Sequence, residues 1–164
     1  MFSPEIHDLA RCVLADYEAR KLKIVTAESC TGGLIAAALT DIPGSSSVFE
    51  RGFVAYSNDA KVEALGVMPE ILGISGAVSP DVAEEMAQGA LDFSQANVCV
   101  SVTGVAGPDG GTPLKPVGLV YFGLAVRKSH TRMHYRCQFE GDRCSIRMQA
   151  VAEGLRLLHS AIEK

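Results

Sequence analysis

The run Val98-Cys99-Val100-Ser101-Val102 constrains this chain most. It is β-prone and almost wholly apolar, so it has no polar face to offer water. A strand of that kind is covered on both sides, as in a sheet lying between layers of helices.

The helices are readable around it. In residues 4–20, Ile6, Leu9, Ala10, Val13, Leu14 and Tyr17 recur at three- and four-residue spacing, which makes one apolar stripe. Ser3 suits the N-cap and Pro4 the first helical position. Residues 24–27 are a β-prone run, and 34–39 read as helix. The polar segment Ser29-Cys30-Thr31-Gly32-Gly33 therefore sits on a strand-to-helix turn. Residues 41–47, rich in Pro, Gly and Ser, form a loop. Residues 51–56 are a second strand. Asn58 then opens a short helix that holds Lys61 and stops at Gly66. Ser79-Pro80-Asp81 starts another helix, running to about residue 92. Glycine-rich residues 103–115 are too many for a mere connector. Strands at 117–126 and 132–139 form an antiparallel hairpin, and Gly141-Asp142 leads into a last helix with Ile146, Val151, Leu155, Leu158 and Ile162 inside. Alternating strands and helices with a closing hairpin predict a three-layer α/β/α fold around a mixed sheet.

Composition sets the remaining bounds. The chain has 164 residues, which at about 150 residues per domain predicts a single domain, 1–164. Nineteen Asp and Glu against fifteen Lys and Arg give a net charge of −4. Without a basic face, extended nucleic-acid binding is not expected. No apolar stretch reaches membrane-spanning length, so no membrane partner is expected, and the N-terminal residues show no signal peptide. Five cysteines without a CxxC suggest neither a disulfide framework nor a zinc knuckle. The four histidines show no metal-ligand spacing, so neither metal nor cofactor is expected.

Three polar segments fall at strand ends, where open α/β sheets bind ligands. They are 28–33, 44–46 and the glycine-rich 103–111. Lys61 follows Tyr56-Ser57-Asn58-Asp59-Ala60 at a strand-to-helix junction. A lysine aimed into a cleft serves as base toward a serine once its pKa is lowered. A solvated Lys61 on a helix surface is the plain alternative. Cys30 competes as a nucleophile, since a helix N-terminus lowers a thiol pKa. Arg143 opens the last helix, where its fork of donors suits a phosphate.

In order, the motifs are Thr26-Ala27-Glu28-Ser29-Cys30-Thr31-Gly32-Gly33, Gly44-Ser45-Ser46, Gly52-Phe53-Val54-Ala55-Tyr56-Ser57-Asn58-Asp59-Ala60-Lys61, Gly76-Ala77-Val78-Ser79 and Thr103-Gly104-Val105-Ala106-Gly107-Pro108-Asp109-Gly110-Gly111, with Lys115-Pro116-Val117-Gly118 after them. Together they resemble the C-terminal domain of the competence/damage-inducible CinA family over essentially the whole chain. The resemblance is to a stand-alone form, since this length leaves no room for the N-terminal domain of longer members. It implies a cytoplasmic, metal-free nicotinamide-nucleotide amidase that forms a homodimer. The substrate implied is a small pyridine nucleotide, nicotinamide mononucleotide. The implied machinery is a Ser/Lys dyad: Lys61 with Ser46 or Ser29, Ser46 slightly preferred, and Tyr56 holding the lysine or the carboxamide. Thr103, Gly104 and Arg143 match polar positions around the site. Arg143 and the turn Thr31-Gly32-Gly33 are expected to bind the 5′-phosphate. Two other readings stand beside it: a nucleotide-binding regulatory module without turnover, and a thiol amidase using Cys30.

Overall fold

The structure is a computed structural model that describes residues 1–162. Glu163 and Lys164, the end of the expected 1–164 domain, lie outside the described residues. In chain order the elements are α1 (Pro4–Ala19), β1 (Ile24–Glu28), α2 (Leu34–Thr40), a 3-10 turn (Ser45–Ser47), β2 (Phe49–Val54), α3 (Asn58–Leu65), α4 (Pro69–Ser75), α5 (Pro80–Asp92), β3 (Val98–Gly104), β4 (Leu119–Val126), β5 (Thr131–Gln138) and α6 (Arg143–Ser160).

The five strands form one sheet in the order β2-β1-β3-β4-β5. β1 runs parallel to both β2 and β3, whereas β3, β4 and β5 are antiparallel in succession. Side chains alternate across each strand, so the sheet feeds two cores. Val100, Val102, Phe122 and Leu124 face α1, α2 and α6, against Val13, Ile35, Val151 and Leu155. Val25, Ala27, Cys99 and Ala125 face the other way, onto Leu65, Leu72, Val82 and Met86 of α3, α4 and α5. The expected three-layer α/β/α fold with a mixed sheet is what the structure shows.

Helix starts follow local chemistry. Ser3, Ser57, Ser79 and Asp142 each accept a hydrogen bond from a first-turn N–H of the helix they precede. Two elements depart from expectation. β2 begins at Phe49 and ends at Val54, two residues earlier than the sequence pattern indicates. Its bounds come from pairing with β1, Ile24 opposite Phe49 and Glu28 opposite Val54, and Tyr56 is thereby released from the sheet. α4 had no expected counterpart. Its N-cap is Met68, which offers no side-chain cap, and Gly73 interrupts its seven residues.

Connectivity places the crevice. From β1 the chain reaches its neighbour β2 by way of α2 on one face. From β2 it reaches β3, on the other side of β1, by way of α3, α4 and α5 on the opposite face. The carboxyl ends of β1 and β3 thus flank a switch point, where open sheets of this kind bind ligands.

Candidate active site

Lys61 is the large charged side chain in the interior, with 1% of its surface exposed. It enters from the first turns of α3 and reaches the carboxyl end of β1. Its Nζ lies 3.0 Å from Ser29 Oγ, 3.0 Å from the Ala55 carbonyl and 3.4 Å from the Tyr56 carbonyl. Burial pushes its ammonium below the ordinary value of 10.5, opposed only by the Cys30 thiol. That thiol is itself pushed up to about 12 by burial, so it carries no charge near neutral pH. A neutral amine has two N–H donors and one lone pair. With the two carbonyls taking the donors, the lone pair is left for the Ser29 hydroxyl, the geometry a general base requires.

Ser29 is nearly buried on the turn after β1, and two charged groups shape that turn. The Glu28 carboxylate is fully buried. It accepts hydrogen bonds from Thr31 Oγ1 at 2.6 Å and from the backbone N–H groups of Gly33, Ile35 and Ala36 at 3.1, 3.0 and 2.8 Å. The anion thus fills the start of α2, where free N–H groups and the helix dipole favour it. From the other side, Arg147 of α6 donates to the carbonyls of Cys30 and Thr31 at 3.2 and 2.9 Å. Gly33, at φ 94°, supplies the left-handed step into the helix. Neither Glu28 nor Arg147 was assigned a role from the sequence. An acid three residues ahead of a Thr-Gly-Gly helix start is the sequence signal for this arrangement.

The pair opens on a cleft of about 210 Å³ lined by Ser29, Tyr56, Asn58, Lys61, Thr103 and Arg143, with Cys30, Ala77, Val78, Gly104 and Ala106 completing the wall. Thr103 Oγ1 donates to the Ala77 carbonyl at 2.8 Å, joining β3 to the segment before α5. At the mouth, Arg143 donates to the Gly107 carbonyl at 2.7 Å and to the Tyr56 hydroxyl at 2.9 Å. Three chain segments therefore meet at one guanidinium. Tyr56 holds the lysine through its backbone carbonyl and the arginine through its ring hydroxyl.

Of the residues singled out in the sequence, Ser29, Lys61, Tyr56, Thr103, Gly104 and Arg143 come together here. Ser46 does not. It is exposed in the 3-10 turn that precedes β2, at the end of the parallel β1–β2 pair opposite to Ser29 and Lys61. Thr31, Gly32 and Gly33 do not line the cleft either. Glu28 takes the Thr31 hydroxyl and the Gly33 N–H, and the Ser29 carbonyl takes the Gly32 N–H. The donors expected to hold a phosphate are thus engaged by an internal carboxylate and a backbone carbonyl. Among the described residues no group of three or more His, Cys, Asp or Glu could hold a metal ion, and no histidine lines the cleft.

An α/β/α sheet with a buried lysine against a serine, in the crevice at its switch point, describes a class of hydrolase-like sites. The chain belongs to the CinA C-terminal domain family, whose profile matches residues 6–162. It is 48% identical over 158 residues to the Nicotinamide-nucleotide amidohydrolase PncC of Escherichia coli K12, covering 96% of this chain and 95% of that protein. It is 51% identical over 141 residues to a Putative competence-damage inducible protein of Caldicellulosiruptor saccharolyticus, of which it spans only 34%. The crystal structure of the competence/damage inducible protein CihA from Agrobacterium tumefaciens superposes with a TM-score of 0.96 at 47% identity, covering 100% of this chain and 99% of that one. Among the described residues, no helix is long and apolar enough to cross a membrane.

Proposed function

We propose that this chain is a nicotinamide-nucleotide amidase that converts nicotinamide mononucleotide and water to nicotinic acid mononucleotide and ammonia, with Ser29 as nucleophile and Lys61 as base. The observation that carries the reading is the 3.0 Å approach of buried Lys61 Nζ to Ser29 Oγ on the wall of the cleft. The activity printed for the E. coli relative, which the chain matches along nearly its whole length, supports the choice of substrate.

Ser29 Oγ attacks the carboxamide carbon and its proton passes to Lys61 Nζ. The carbonyl oxygen becomes an oxyanion, the charge that a backbone N–H of the turn beside the nucleophile would stabilise. As the C–N bond breaks, Nζ returns the proton and ammonia leaves. Water then attacks the Ser29 ester and gives a proton to Nζ. That proton goes back to Ser29 Oγ as the carboxylic product departs. Arg143 has donors to spare beyond the two it uses, and takes the 5′-phosphate at the mouth. One cation aimed at a dianion lets an acidic protein bind an anion. The homodimer and the cytoplasmic setting of the family pattern belong to the same reading.

The test is ammonia release by EDTA-treated protein, with Ser29→Ala, Lys61→Ala and Ser46→Ala beside it. The wild type and Ser46→Ala are expected to release ammonia at similar rates. Ser29→Ala and Lys61→Ala should each fall by about a thousandfold, the order that a nucleophile and its base contribute. An inactive Ser46→Ala beside an active Ser29→Ala would overturn the dyad. Nucleotide binding without ammonia from the wild type would leave a binding module.

A further inference from the structure

Asn58 is the polar cleft residue that this chemistry leaves without a task. It is the first residue of α3, three positions before Lys61. Residues at that spacing share one helix face, one turn apart. Lys61 is buried at the inner end of that face, and exposed Asn58 lines the same cleft toward solvent. Asn58 does not cap the helix, because the Ser57 hydroxyl takes the Ala60 N–H at 3.0 Å. Among the described residues its side-chain amide makes no hydrogen bond. Tyr56, whose hydroxyl holds Arg143, is two residues before it.

We propose that Asn58 is a specificity-determining residue that reads the ribose diol of the substrate, and this rests on the amidase reading above. With the carboxamide at Ser29 and the phosphate at Arg143, the sugar lies in the stretch of cleft between them. A vicinal diol both donates and accepts. A primary amide matches it, its oxygen accepting from one hydroxyl and its NH2 donating to the other. Elsewhere on the wall, the Tyr56 hydroxyl is engaged by Arg143. Ala77, Val78 and Ala106 have apolar side chains, and the Thr103 hydroxyl proton is committed to the Ala77 carbonyl. A carboxylate at this position would repel the phosphate, whereas a neutral amide tolerates it.

The experiment compares wild type, Asn58→Ala and Asn58→Asp on nicotinamide mononucleotide and on its 2′,3′-dideoxyribose counterpart, reading kcat and KM from ammonia release. On the ribonucleotide, Asn58→Ala is expected to raise KM about tenfold while kcat changes far less, the signature of lost uniform binding. Asn58→Asp should raise KM further. On the dideoxy compound the wild type should already show the raised KM, and Asn58→Ala should add nothing. An unchanged KM in Asn58→Ala overturns the proposal, and so does an equal loss on both compounds. Calorimetric binding of the same two compounds to Ser29→Ala and to Ser29→Ala/Asn58→Ala gives the comparison without turnover. A wild type that releases no ammonia, with the diol-dependent difference kept in binding, refutes the amidase alone. Equal binding of both compounds to both proteins refutes the assignment of Asn58. Melting temperatures of all variants matched to their parents show that the fold is intact.

Discussion

Lys61 is an ionisable group in a place that charges avoid, and the fold is less stable for it. Burial lowers its pKa in the folded state, whereas the unfolded chain keeps the ordinary 10.5. Between those two values the unfolded state binds more protons, so stability rises with pH in that window. The penalty is therefore complete below the folded-state value and gone above 10.5. Lys61→Met is expected to melt higher than the wild type at neutral pH, with the gap narrowing as pH rises toward 10.5. Thermal melts of both proteins across that range check it, and a gap independent of pH would mean that Lys61 is not buried as a cation. The sequence pointed to Lys61 as a base through its motif, but spacing alone favoured an exposed lysine, because burial is a property of the packed layers. It favoured Ser46 over Ser29 for a similar reason. Ser46 precedes β2 and Ser29 follows β1, and it is the parallel pairing of those strands that puts the two serines at opposite ends of the sheet.

The elements that hold the site are fixed by close packing away from it. Gly89 in α5 faces the last residue of α3. A Cβ built there would fall inside the van der Waals envelope of the Leu65 carbonyl. α3 carries Lys61 four residues earlier, so the spacing of α3 and α5 sets where the amine sits. Gly89→Ala is expected to cost about 1–3 kcal/mol of stability through overpacking and to reduce kcat as α3 shifts. Urea unfolding together with steady-state kinetics measures both, and a stable, fully active variant would contradict this account. Helices with a side-chain cap and an apolar stripe were legible in the sequence, as for α1, α5 and α6. α4 was not, because its start at Met68-Pro69 has no side-chain acceptor and its seven residues are too few to display a period. The β2 boundary slipped because an edge strand half open to water shows a weak hydrophobic pattern.

For the whole molecule, the sheet order decides what the cleft is made of. Ser29 follows β1, Lys61 comes from one helical layer, Thr103 lies one residue from the end of β3 and Arg143 belongs to the other layer. The three-layer architecture was legible because an apolar strand such as β3 requires cover on both faces. The strand order was not, since no local signal states which strand lies beside which. A ligand that bridges these parts stabilises all of them together. The pyridine nucleotide product at a hundred times its Kd should add about 2.7 kcal/mol of stability, roughly 5–10 °C in Tm for a chain of this size. Arg143→Ala should abolish most of that shift, and an undiminished shift would remove the arginine from the phosphate site. The arginine's position has a consequence in time as well. Arg143, which draws Tyr56 and the Gly107 loop together, and Arg147, which holds the carbonyls beside Ser29, both sit on α6, the last of the described elements. A chain emerging from the ribosome has its serine and its lysine long before it has either clamp. Both clamps therefore form only once α6 has packed, so the surroundings of Ser29 and Lys61 are completed by a helix made long after them.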